Sequence, residues 1–187
     1  MPIRDAEIRD LEQITAIYND VIATSTAVYS TEPVALAERT EWFEQRRRRG
    51  FPVLVAAEGD GVLGFSSFGE FRGAWAGYRY SVEHSVHVRA DARGKGVGRD
   101  LVAALFPLAA ALGKHVMIGA VDAANDGSLR FHERLGFERV GHFKEVGRKF
   151  DRWLDLVFMQ RFLDPPGSAR QGAVRRHGGR QTILLKD

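Results

Sequence analysis

Apolar positions recur along this chain in two rhythms. After a short extended run around Ile3, Leu11, Ile14, Ile17, Tyr18, Val21 and Ile22 follow one another at helical spacing, the pattern of a helix with one buried face. A polar stretch, ATSTAVYSTEP, comes next, and Pro33 leads into LAERTEWFEQRRRRG, a second helix closed by Gly50. Its run of arginines reads as a solvated helix end, where the helix dipole favours cations. The rhythm then shortens. PVLVAAEGDGVLGFSSFGEF reads as a hairpin, Val53 to Ala57 and Val62 to Phe68 around a turn on Gly59, Asp60 and Gly61. RYSVEHSVHV, from Arg79 to Val88, alternates as the next strand. A helix is predicted from about Gly98 to Leu112, a compact strand over HVMIGAV (His115 to Val121), and a short helix over NDGSLRFHERLGF with Gly136 just past its end. RWLDLVFMQRFL is the last strand. The order strand, two helices, strand meander, helix, strand, helix, strand predicts an α/β domain with a mixed sheet and helices on its faces.

Composition narrows the classes. With 187 residues, 44% apolar and 27% charged, the chain has the make-up of one ordinary globular domain. No window approaches a membrane span, and the charged start MPIRDAEIRDLEQI lacks the apolar stretch of a signal peptide, so the expectation is a cytoplasmic protein with no membrane partner. The absence of cysteine excludes disulfides, thiolate metal sites and a covalent cysteine intermediate. The net charge of +3 resides in the segment 164–187, where Arg170, Arg175, Arg176, Arg180 and Lys186 face two aspartates. The body, 1–163, is therefore neutral, and no nucleic-acid partner is expected. The Pro-, Gly- and Arg-rich segment 164–187 reads as a basic, flexible tail.

The most informative stretch is VRADARGKGVGRDLV, residues 88–102. Glycines at 94, 96 and 98 let the chain lie flat at a helix start and present N–H groups to an anion. A nucleotide P-loop fails here, because Gly96 follows Lys95 where Ser or Thr must hold magnesium. The dinucleotide fingerprint fits poorly, since the glycine spacing is G-x-G-x-G. A third pattern fits: Arg93, two residues, Gly96, one residue, Gly98, after a strand and before a helix. It resembles the coenzyme A pyrophosphate loop of the GNAT superfamily of N-acetyltransferases.

The resemblance extends to YRYSVEHSVHV, RGKGVG, KHVMIGAV, AANDGSLRFHERLGF and VGRKFDRWLDLVFMQ. These blocks resemble, in register from about Ile3 to Leu163, the phosphinothricin and methionine sulfoximine acetyltransferases, a subgroup also described as L-amino acid N-acyltransferases. It implies the acyl-CoA N-acyltransferase fold, an α/β domain with a mixed, largely antiparallel central sheet flanked by helices. It also implies acetyl-CoA as acyl donor, no metal, an amine or amino-acid acceptor, direct transfer in a ternary complex, and a homodimer. Cofactor contacts would come from Val86, His87 and Val88, from Arg93, Gly94, Lys95, Gly96, Val97, Gly98 and Arg99, and from Asn125 and Arg134.

Acetyl transfer to an amine needs a neutral nitrogen, a polarised carbonyl and a proton for the departing thiolate. Glu83 interrupts the apolar and small residues of its strand; it is either a solvent-facing position of an alternating strand or a base, and the subgroup's matching glutamate is regarded as the base. Backbone N–H groups of Val86, His87 and Val88 are the oxyanion donors that the resemblance implies. His132 follows the subgroup, where other superfamily members carry a tyrosine, and the expectation is an acid or hydrogen-bond donor for the thiolate. Asn125 reads equally as a helix cap and as a functional, catalytic residue, and the resemblance implies that it contacts the cofactor or substrate. Arg72 is the candidate to hold a substrate carboxylate. Trp75, Tyr78 and Tyr29 are read as pocket walls or as an aromatic cluster, and Glu83, His84 and Ser85 as the strand beside the substrate. Lys149 and Trp153 are expected to shape the site or a dimer interface. A silent acyl-CoA-binding module, or the same chemistry on another primary amine, are the alternatives.

Overall fold

The computed structural model describes residues 1–163; the expectation of a flexible tail over 164–187 lies outside the described residues. Among the described residues eleven α-helices and strands follow one another, with three short 3-10 turns between them: β1 (Ile3–Asp5), α1 (Leu11–Thr24), α2 (Leu36–Arg48), β2 (Val53–Glu58), β3 (Gly61–Glu70), β4 (Ser81–Val88), α3 (Val97–Ala111), β5 (Val116–Asp122), α4 (Asp126–Arg134), β6 (Glu138–Lys149) and β7 (Arg152–Phe162). The strands form one seven-stranded sheet in the order β1-β2-β3-β4-β5-β7-β6. All neighbours are antiparallel except β4 and β5, so the sheet is mixed and largely antiparallel.

Both faces of the sheet are covered, which is why β2 reads as an unbroken apolar run. Leu101, Val102, Leu105 and Ala109 of α3 pack with Leu54, Ala56, Val82, Met117 and Met159 on one face. Leu11, Ile14 and Ile17 of α1 and Phe43 of α2 pack with Val53, Val55, Val62 and Phe65 on the other. The arginines at the end of α2 lie in its last turn, as the dipole argument expects.

The strand β6 has no counterpart in the sequence reading. It lies at the sheet edge, nearly all its residues are exposed, and two extra residues between Phe143 and Gly147 interrupt its pairing with β7. An exposed edge with a bulge carries no apolar alternation to detect.

One irregularity positions everything that follows. The parallel pairing of β4 with β5 covers only Ser81, Val82 and Glu83 against Val116, Met117 and Ile118. Beyond Glu83 the two strands separate, β4 staying with β3 and β5 with β7. The sheet opens like a V at its centre.

Candidate active site

The opening is lined by two cavities that share Val86 and Ser128. One, of about 870 Å³, lies against the start of α3, and the other, of about 270 Å³, lies between β4, β5 and α4. The β4 ladder decides which backbone groups face the gap. Arg89 N–H bonds to Leu63 O, and His87 sits opposite Phe65, so by antiparallel alternation Glu83, Ser85 and His87 spend their main-chain groups on β3. Those of His84, Val86 and Val88 turn towards the opening. This corrects the expectation for His87, whose N–H is committed to the ladder. The Val88 carbonyl is also engaged, accepting a 3.0 Å bond from Arg93 Nε.

The larger cavity is lined by Val86, Val88, Arg93, Gly94, Gly96, Val97, Gly98, Arg99 and Arg134 among others, so the fold brings most of the loop candidates to one cavity. Gly94 and Gly96 have φ of +76° and +85°, and Gly96 is the residue immediately before α3. No intramolecular acceptor serves the main-chain N–H groups of residues 94–99 among the described residues. Successive free N–H groups at the start of a 15-residue helix form a nest for an anion. A diphosphate fits that nest, and the cavity's apolar wall of Val86, Val88, Phe131 and Leu135 fits a linear acyl-bearing arm. The donor set therefore suits an acyl-CoA. Lys95 is exposed and lines neither cavity. Arg93, held by Val88 O and 3.8 Å from Asp20, is partly occupied in bracing the loop.

The smaller cavity is built from side chains. Glu83, His84, Ser85, His87, Asn125 and His132 line it together. Along β4 the side chains alternate between faces, so Glu83, Ser85 and His87 arrive from the side of α1, where His87 meets Tyr18 and Phe65. His84 and His132 arrive from the side of α3 and α4, packed on each other and on Phe137. Glu83 has no hydrogen-bond or ion-pair partner among the described residues, and burial holds its carboxyl above the usual glutamate range. A half-buried, unpaired carboxylate with a raised pKa has the properties of a proton acceptor near neutral pH.

His132 is oriented by its own helix. Its Nδ1 lies 2.7 Å from the Ser128 carbonyl oxygen, and because a carbonyl only accepts, Nδ1 carries the proton. Nε2 is then a lone pair, and burial keeps the ring below the ordinary histidine pKa. The resting ring is thus an acceptor at Nε2, which must take up a proton before it can serve as the expected acid or donor for the thiolate. Gly119 of β5 makes room for it: a Cβ there would stand 3.2 Å from His132 Nε2 and 3.0 Å from His84 Nε2. Burial, reinforced by His132 and His87, pushes His84 down to about 3, and burial with the Arg39 charge pushes His87 down to about 4. Asn125 caps α4, accepting a 3.0 Å bond from Ser128 N–H, while lining the small cavity, so it reaches the site as a cap.

Arg72, Trp75 and Tyr78 come together, but with one another. The Arg72 guanidinium lies 5.1 Å and 5.6 Å from the two ring centres, in the loop between β3 and β4, and none of the three lines either cavity. Trp75 is 57% exposed. Within this loop Arg72 stacks on neighbouring rings, which sequence spacing did not reveal. Asp122, Ser128 and Gly119 line the small cavity and were not singled out from the sequence; only Gly119, a glycine inside a strand, carries a local signal of close approach. No group of side chains suited to a metal ion occurs among the described residues.

The sequence pattern of the Acetyltransferase (GNAT) family matches residues 14–137, more than half the chain, and the protein belongs to that family. It is 51% identical over 168 residues to the L-methionine sulfoximine/L-methionine sulfone acetyltransferase of Pseudomonas paraeruginosa, covering 89% of this chain and 97% of that one. Among solved structures it is similar to an N-acetyltransferase from Staphylococcus aureus Mu50, with a TM-score of 0.85 and 43% identity over 87% of this chain and 98% of the other. It is also similar to a phosphinothricin acetyltransferase from Sinorhizobium meliloti in complex with acetyl-CoA, with a TM-score of 0.83 and 38% identity over 86% and 87% of the two chains.

Proposed function

We propose that this enzyme transfers the acetyl group of acetyl-CoA to the α-amine of a small amino-acid-like substrate of the methionine sulfoximine, methionine sulfone or phosphinothricin type. The observation that carries the reading is that the two cavities adjoin at Val86 and Ser128, which sets a phosphate nest beside a carboxylate and an imidazole. The names of the relatives support the substrate class. The N–H groups of 94–99, with Arg99 and Arg134 lining the same cavity, would hold the phosphates of acetyl-CoA, which supplies an activated thioester. The Val86 and Val88 N–H groups face the gap and polarise the acyl oxygen.

Glu83 takes the first proton from the substrate ammonium, directly or through one water, leaving a neutral nitrogen to attack in a ternary complex. His132 Nε2 accepts the second proton, shed as the nitrogen becomes an amide, and returns it to the departing thiolate. The cycle so written releases one net proton, through Glu83, to solvent. Burial supports both roles, because it raises the affinity of a carboxylate for a proton and makes an imidazolium quick to give one up.

The reading includes a homodimer and a cytoplasmic location. Phe143, Val146, Phe150 and Trp153 are exposed on the β6–β7 hairpin, an apolar set suited to a second copy, and no described helix is long and apolar enough to cross a membrane. Sedimentation of the full chain tests the dimer. Thiol release from acetyl-CoA tests the activity across methionine sulfone, methionine sulfoximine, phosphinothricin, aminoglycosides and peptides. Turnover with the amino-acid analogues is the expected result; turnover confined to another amine, or binding without release, overturns it.

A further inference from the structure

The segment between α1 and α2 contributes Ala27 and Tyr29 to the wall of the small cavity, yet it contains no helix or strand of its own. Its position is set by two side chains and one main-chain carbonyl from three strands on the far arm of the V. Lys149, the last residue of β6, is 3% exposed and donates two 2.7 Å bonds from Nζ, to the carbonyls of Ser25 and Val28. No carboxylate pairs with it among the described residues. The Thr26 hydroxyl donates to the Asp122 carboxylate at the end of β5. The Tyr29 hydroxyl donates to the Asp155 carbonyl of β7 at 2.9 Å, and its ring lies on Gly147, where a Cβ would collide with Tyr29 Cδ2.

A buried ammonium is retained only where its donors are satisfied. Here Lys149 uses two of its three on a segment more than a hundred residues away in sequence, and Ser25 and Val28 flank Thr26 and Ala27. A strand-end cation that bridges two carbonyls of one loop works as a clasp.

We infer that Lys149 is a positioning residue for the acceptor substrate: by clasping Ser25 and Val28 it holds the Ala27–Tyr29 wall against the small cavity. The inference rests on the reading of that cavity as the amine's site. Lys149 touches neither reacting group. Its loss loosens one wall of the acceptor site and leaves the acetyl-CoA nest, on the other arm of the V, intact.

The test uses the full chain with Lys149→Met, which keeps the stem and removes the donors, and Thr26→Val, which releases the same loop from β5. Hydrogen exchange without ligands reads the clasp directly. Amides in 25–32 are expected to exchange about tenfold faster, as the loss of one to two net hydrogen bonds implies, with α3 unchanged. Kinetically, the amine KM is expected to rise about tenfold with the acetyl-CoA KM unmoved. Unchanged exchange in 25–32, faster exchange throughout the sheet, or equal rises in both KM values would overturn the inference. Should Lys149→Met fail to fold, Thr26→Val decides by the same readouts. A wild-type chain that acetylates nothing on the panel would sink the assigned reaction, and the exchange experiment would still report whether the clasp exists.

Discussion

The two cavities of this enzyme are made in different ways. The larger one owes its chemistry to main-chain groups of one local stretch, residues 94–99, whose glycines turn N–H donors outward at the start of α3. The smaller one owes its chemistry to side chains from β4, β5, α4 and the loop before α2, none adjacent in sequence to all the others. A backbone nest tolerates many side chains but depends on φ. A side-chain site tolerates backbone detail but depends on each packing neighbour.

That contrast is open to attack, and the largest effect is expected at Glu83. Glu83→Gln should lower turnover by ~10²- to 10⁴-fold, the usual contribution of a positioned base, and leave acetyl-CoA affinity nearly unchanged. The lower limb of the pH profile should vanish with it. In the wild type that limb should lie above the ordinary glutamate value, because burial raises the Glu83 pKa and the base is lost as pH falls through it. An equal fall in acetyl-CoA affinity would erase the distinction between the cavities.

Gly96→Val should act on the other side. A Cβ at Gly96 meets nothing closer than Arg99 Nη2 at 3.4 Å, so the damage comes from the left-handed backbone, which costs a branched residue ~1–2 kcal/mol, and from the side chain standing in the nest. Acetyl-CoA affinity is expected to drop at least ~10-fold, measured by calorimetry, with the amine KM little changed. Unaltered affinity would remove the loop as the phosphate site.

A smaller effect should appear as stability. His84 and His87 are held neutral, at about 3 and about 4, below the unfolded value. The unfolded chain therefore binds more protons as pH falls below about 6.5, and stability declines on acidification by up to ~1.4 kcal/mol per pH unit for each ring. Denaturant unfolding between pH 7 and pH 5 measures this slope, and His84→Leu should flatten it. A slope unchanged in His84→Leu would contradict the buried neutral ring. The smallest effect is expected from Arg72→Ala, within ~2-fold in amine KM, as for a surface substitution. A tenfold rise would return Arg72 to the role of carboxylate anchor.

Much of the fold was legible. The helix from Leu11 and the strand ending at Val88 follow from apolar period, because each buries a regular face; the helix from Leu36 follows from Pro33 and Gly50 at its ends, and the Val53–Phe68 hairpin from two apolar runs around a glycine turn. Strand β6 was not, since an exposed, bulged edge has no such period. In the site, the loop from Arg93 to Arg99 and the isolated Glu83 stood out locally. Asp122 and Ser128 looked like ordinary turn and helix residues, and Arg72 looked like an anchor until its loop was seen to stack it on Trp75 and Tyr78.

By itself, then, the order of residues determined the α/β class, the glycine-spaced loop before α3 and the presence of a carboxylate on β4, all of which depend on neighbours within a few positions. Only the tertiary structure decided that β4 and β5 part after Glu83, that the Cδ2–Nε2 edge of His132 lies over Gly119, and that Lys149 grips a loop from the other end of the chain. Those facts depend on contacts between distant segments, and such contacts leave no period or spacing in the segments that make them.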